Sequence, residues 1–144
     1  MRVYLDNCCL NRPFDDQRSI RIRLETEAKL FIQGKIRQRE IELAWSYMID
    51  YENHANPFRE RRTAISAWRK IAVTDIEENT LLLRLANELV RMGLKAKDAL
   101  HIACSIHAKC DYFLTTDDLV LRKSRGIKDI RVVDPQTFIR EVGL

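Results

Sequence analysis

Glycine and proline are scarce in this chain, four and three residues among 144. That scarcity argues against a β-sandwich, whose many tight turns draw on both. Long apolar runs are missing as well. None approaches the ~20 residues that a membrane-spanning helix needs, and Asp6 interrupts any reading of the first residues as a signal peptide. A cytoplasmic protein with no membrane partner is expected. The four cysteines, Cys8, Cys9, Cys104 and Cys110, offer neither a CxxC pair nor zinc-finger spacing. Reduced thiols packing as small hydrophobes account for them. Internal repeats, low-complexity tracts and linkers are absent too. What remains, at 46% hydrophobic and 32% charged, is the composition of one globular domain over 1–144. The formal charge of +4 leans toward polyanionic partners without defining one.

Apolar periodicity lays out the elements. A strand over Arg2–Leu5 opens the chain. The spacing of Ile20, Leu24, Ala28, Phe31 and Ile32 predicts a helix over Ser19–Gln33, with Gly34 as its stop. A second strand is expected over Glu40–Trp45, followed by a helix capped by Ser46 and ended by Asn56-Pro57. Phe58–Lys70 reads as a basic helix, and Ile71–Ile76 as an extended segment with no assignable place. Glu77–Met92 is helical up to Gly93, and Lys97–Lys109 is apolar on nearly every side, as a buried helix is. Strands are expected over Asp111–Thr115 and Ile130–Asp134, with Pro135 starting a last helix. Strands separated by helices predict an α/β fold, with three α/β/α layers around a parallel sheet of four to five strands.

In such a sheet, functional groups gather at the carboxyl ends of the strands. Asp6, in "VYLDNCCL", ends the first strand. Asp117 and Asp118 follow the strand "YFLTT". Glu52 lies one to two turns beyond the second strand, and Asp98 lies in the first turn of the apolar helix. Each has a bland explanation: the helix dipole favours an acid at Asp98, and Glu52 alone suits a solvated helix face. Together they predict one acidic pocket, whose repulsion a hard dication with oxygen preference, Mg²⁺ or Mn²⁺, relieves.

Three stretches, "VYLDNCCL", "SYMIDYENHANP" and "KAKDALHIACSIHAKCDYFLTTDD", resemble the PIN-domain nucleases, and the resemblance covers essentially the whole chain. It implies that Asp6, Glu52, Asp98 and Asp117 are the catalytic, metal-holding acids. Thr115 looks like the hydroxyl residue that commonly stands two places before the fourth acid. Asn7 departs from the Thr or Ser often found after the first acid, and its amide is expected to support the site. Asp50 competes with Glu52 for the second acid, and Asp118 competes with Asp117 or supports it.

The implied activity is a divalent-metal-dependent ribonuclease that hydrolyses phosphodiester bonds of single-stranded or structured RNA. Many bacterial and archaeal members of the family are toxins paired with an antitoxin protein, which makes an antitoxin an expected partner. The alternative is a catalytically silent PIN-like module that binds nucleic acid or protein. Phosphoryl chemistry on Asp6 is a distant third, because Cys8 stands where a phosphatase wants its second Asp.

Lys95, Lys97, Arg122, Lys123 and Arg125 flank the acids and are the expected RNA contacts. Arg59, Arg61, Arg62, Arg69 and Lys70 read by default as a solvated face. His101 shares a helix face with Asp98, as a general acid or, more simply, a packed or solvated side chain. His54 and His107 carry no assigned role. Apolar residues left over on the Ser19–Gln33 and Phe58–Lys70 helices predict a homodimer.

Overall fold

The computed structural model describes all 144 residues. Its strands are β1 (Arg2–Leu5), β2 (Glu42–Ser46), β3 (Thr74–Ile76), β4 (Tyr112–Leu114) and β5 (Arg131–Val133). They form one sheet in the order β3-β2-β1-β4-β5, and every neighbouring pair is parallel. The helices are α1 (Asn7–Asn11), α2 (Ile20–Arg37), α3 (Tyr47–His54), α4 (Arg59–Ser66), α5 (Thr80–Arg91), α6 (Ala96–His107), α7 (Asp118–Lys123) and α8 (Pro135–Val142). Parallel strands require crossovers, and helical crossovers cover both faces of the sheet. The expected α/β/α sandwich is therefore present, with five strands.

Residues of β1 explain its central place. Val3, Tyr4 and Leu5 are all buried, as are Leu43, Ala44 and Trp45 of β2 and Phe113 and Leu114 of β4. These continuous apolar runs suit strands covered on both faces. The chain builds β2 and β3 outward on one side of β1, then returns to lay β4 and β5 on the other. Its direction of growth reverses between β1 and β4, and a crevice opens there at the carboxyl ends of the strands.

Two expectations need correction, and one open assignment is filled. The second helix passes through Gly34 and runs to Arg37. Ile36, on the added turn, is buried, and burying it contributes about 1.5–3 kcal/mol against the ~1 kcal/mol that a helical glycine costs. Phe58–Lys70 is not one helix: α4 ends at Ser66 and the chain tightens into a 3-10 turn over Ala67–Ile71. The turn seats Trp68 in the core, with the Arg37 guanidinium 4.7 Å from its ring centroid. The unplaced Ile71–Ile76 segment supplies β3, an edge strand paired with β2 through Ala44, Trp45 and Ser46. Gly93, at φ 103°, stands just past α5 as expected. Asp134 caps α8 through Thr137 N at 2.8 Å, with Pro135 in its first turn.

Candidate active site

The β1–β4 ladder continues one residue past β1, because Asp6 N donates to Leu114 O at 2.9 Å. That bond sets Asp6 at the point where the sheet reverses direction, almost wholly buried. Its carboxylate is then held on both oxygens. Oδ1 accepts from Asn7 N at 2.8 Å, which starts α1, and Oδ2 accepts from Thr115 Oγ1 at 2.8 Å. The same Thr115 hydroxyl accepts from Asp117 N at 3.2 Å. One buried threonine thus ties the first acid to the fourth. Cys8 Sγ lies 3.4 Å from Asp6 Oδ2 and accepts from Thr116 N at 3.3 Å.

Asp117 caps α7, with Oδ1 accepting from Leu119 N at 2.9 Å and Val120 N at 3.2 Å. Asp98 sits half-buried in the first turn of α6. Burial pushes its carboxyl up to about 6, helped by the charges of Asp6, Asp117 and Glu52 and partly offset by His101. Carboxylates of four separate elements therefore act on one another.

Glu52, on α3, is held differently. Burial raises its pKa, but the bond from His101, that ring's charge, Lys97 and Asn7 outweigh this and leave the carboxyl below its usual range. His101 Nε2 lies 2.5 Å from Glu52 Oε1, and Nδ1 lies 2.6 Å from Tyr4 Oη, which in turn is 2.7 Å from Ser46 Oγ. Ser46 Oγ also accepts from Met48 N at 3.2 Å, capping α3. These contacts form one continuous hydrogen-bonded chain from Ser46 through Tyr4 and His101 to Glu52. His101 and Tyr4 are fully buried. Of the two simple roles open to His101, packing is the one adopted. Its grip on Glu52 had no signal in the sequence, where the three-residue spacing pointed to Asp98 instead.

Asp6, Asn7, Glu52, Asp98 and Asp117 line one open cleft of about 550 Å³. The rivals of the acids lie elsewhere. Asp50 accepts from Trp45 Nε1 at 2.9 Å and lines a separate cleft along α3 and α4, with His54. Asp118 is exposed and paired with Arg21 at 2.8 Å. Among the expected RNA contacts, Lys97 lines the acidic cleft and Lys95, Arg122 and Lys123 do not. The second cation there is Arg61, from the helix read as a solvated face. Its placement follows from the turn at Asn56-Pro57, where Asn56 Nδ2 donates to Asn11 Oδ1 at 3.0 Å and folds α4 back toward α1.

An all-oxygen, carboxylate-rich donor set suits a hard dication and not a soft one. The donor chemistry therefore fits Mg²⁺ or Mn²⁺. Yet no three His, Cys, Asp or Glu side chains approach one another closely enough to form a ready-made cage. Three of the four acids are held by protein partners instead: Asp6 by Thr115 and Asn7 N, Asp117 by the start of α7, Glu52 by His101.

No family model and no curated protein matches the sequence. Solved structures do match. VapBC2 from Rickettsia felis, determined bound to a DNA fragment from their promoter, superposes with a TM-score of 0.56 and 13% identity, covering 92% of this chain and 97% of that one. PAE2754 from Pyrobaculum aerophilum superposes with a TM-score of 0.55 and 16% identity, covering 99% of this chain and 90% of that one. The fold is PIN-like. At these identities the likeness concerns architecture alone. No helix is long and apolar enough to cross a membrane.

Proposed function

We propose that the chain is a divalent-metal-dependent ribonuclease that hydrolyses RNA phosphodiester bonds, and that it acts as the toxin of a toxin-antitoxin pair. One observation carries the catalytic reading: four carboxylates from separate elements share a cleft, and none of Asp6, Asp98 and Asp117 has a Lys or Arg within ion-pair distance. Repulsion of that kind is relieved by a cation from solution.

Asp6, Asp98 and Asp117 would hold the ion, with Glu52 as a further ligand or as the group that orients the attacking water. When bound, Mg²⁺ or Mn²⁺ supplies charge neutralisation and an acidified water. The chain's own residues do the positioning. Thr115 fixes the Asp6 carboxylate and the Asp117 backbone, and His101 fixes Glu52. Lys97 and Arg61 offset the acids' repulsion of a phosphate backbone. No nucleophilic side chain is required, so Cys8 and Cys9 are structural. The protein partner is proposed to be an antitoxin, or a second copy, covering the apolar residues Ile20, Leu24, Leu30 and Phe31 that α2 leaves exposed.

The deciding experiment is RNA cleavage in Mg²⁺ or Mn²⁺ with wild type, Asp6→Asn and Asp98→Asn. Cleavage surviving both substitutions would refute the proposed site. A silent, nucleic-acid-binding module is the second reading, and the absence of a ready-made cage favours it. Melting with and without Mn²⁺ separates the two, because an ion that binds the folded state at 100 times its Kd stabilises by about 2.7 kcal/mol. A silent module shows no such rise.

A further inference from the structure

The two cations of the acidic cleft are each laid over an aromatic ring at its mouth. Lys97 Nζ is 5.8 Å from the Tyr51 ring centroid, and the Arg61 guanidinium is 4.5 Å from that of Phe58. Both rings line the same cleft as the acids. Tyr51 is nevertheless 61% exposed and Phe58 56% exposed. Packing does not account for them, since aromatic side chains contribute to stability mainly by burial.

Arg61 is held in place over its ring. Its Nη2 donates to Phe14 O at 2.6 Å and its Nη1 to Asp15 Oδ1 at 3.4 Å. Lys97 directly precedes Asp98, so its ring and its charge stand beside the proposed reaction centre. A cation occupies one face of each ring, and more than half of each residue's surface stays open to solvent.

Ring and cation together match the two halves of a nucleotide: an aromatic face stacks on any base, and the adjacent charge meets its phosphate. Bases inside an A-form duplex have both faces covered by their neighbours, which leaves nothing for a protein ring to stack on. We infer that Tyr51 and Phe58 are stacking platforms for unpaired bases entering the cleft, so that the cleft selects single-stranded RNA over duplex. This inference rests on the ribonuclease reading and adds to it the residues that set substrate form.

Binding tests it without requiring turnover. A single-stranded oligoribonucleotide carrying 2-aminopurine, and the same strand annealed to its complement, are titrated with the full chain in Ca²⁺, and the RNA is checked for integrity on a gel. Stacking is expected to change the probe's emission. Tyr51→Leu and Phe58→Leu are each expected to weaken single-strand binding roughly 5- to 100-fold, and Tyr51→Trp and Phe58→Trp to restore it. Both rings are exposed, so these changes leave the core intact, and the Trp variants guard against loss of fold. Wild-type affinity in the Leu variants, duplex binding as tight as single-strand binding, or no RNA binding by wild type would each overturn the inference. RNA binding with these hallmarks but no cleavage under any ion would refute the nuclease reading and leave the platforms standing.

Discussion

Acids on the outer surface and acids in the cleft live under opposite rules. Asp16 pairs with Arg18 at 2.7 Å, Asp118 with Arg21 at 2.8 Å, and Asp75 with Arg69 at 2.7 Å. Hydrogen bonds from those arginines hold Asp16 and Asp118 below the usual carboxylate range. In the cleft, Asp98 is pushed the other way, to about 6, by burial and by its acidic neighbours. The chain has 25 Lys and Arg residues, so the shortage inside the cleft is one of placement. The two cations that do reach it lie over aromatic rings, and neither pairs with Asp6, Asp98 or Asp117. The fold pairs outer acids such as these with arginine and leaves Asp6, Asp98 and Asp117 without a Lys or Arg partner, a placement that supports the proposed metal site.

That contrast breaks most sharply in activity. Several kcal/mol of charge stabilisation hang on a well-held ion, so Asp6→Asn or Asp98→Asn is expected to lower the RNA cleavage rate roughly 10²- to 10³-fold. Asp118→Asn, twenty residues from Asp98 in sequence but outside the cleft, is expected to stay within about twofold. Equal losses in both groups would erase the distinction between cleft and surface.

Next in size is His101→Ala. It leaves Tyr4 Oη with Ser46 alone and releases Glu52, and it is expected to destabilise by about 2–4 kcal/mol. In denaturant melts Tyr4→Phe should follow in the same direction at roughly 1–2 kcal/mol. Among molecules that remain folded, the cleavage rate of His101→Ala should drop about 10- to 100-fold, as outer-shell partners of metal ligands typically do. Unchanged cleavage by folded His101→Ala would show that Glu52 needs no holder.

The smallest effect has an unusual sign. Folding raises the Asp98 pKa from 3.8 to about 6, so ionised Asp98 opposes folding. That penalty is absent below about pH 4, grows between pH 4 and 6, and is complete above pH 6. In EDTA at pH 7.5, Asp98→Asn is therefore expected to be more stable than wild type by roughly 1–2 kcal/mol after solvent screening of this half-buried group. The gain should vanish at pH 4. An Asp98→Asn protein that melts below wild type at pH 7.5 would mean the cleft is already compensated.

How far the sequence foretold all this depends on where the information lies. Strand runs such as Val3-Tyr4-Leu5 and Phe113-Leu114 announce themselves because a strand covered on both faces must be apolar throughout. The four acids were legible for a related reason: Asp6 and Asp117 follow strands, Asp98 opens a helix and Glu52 lies one to two turns beyond the second strand, and a parallel sheet brings such points together. Asp50 against Glu52 turned on side-chain partners, Trp45 and Arg69, that apolar periodicity does not encode. Of the cations expected to flank the acids only Lys97 lines the cleft, because proximity in sequence to Asp98 or Asp117 is a poor guide to proximity in space. Lys95 and Arg122 are close in sequence yet outside the cleft, while Arg61 enters it through the turn at Asn56-Pro57. The short helices α1 and α7 escaped notice because six residues or fewer give no periodicity to read.

The bond from Thr115 to Asp6 joins residues 109 positions apart. During synthesis, the first acid leaves the ribosome long before its partner exists, and the β1–β4 pairing must wait for both. Any nascent fragment ending before Thr115 therefore lacks the threonine that fixes Asp6. Under the proposed function, a cleft assembled this late would keep an unfinished chain harmless to the RNA it is being read from.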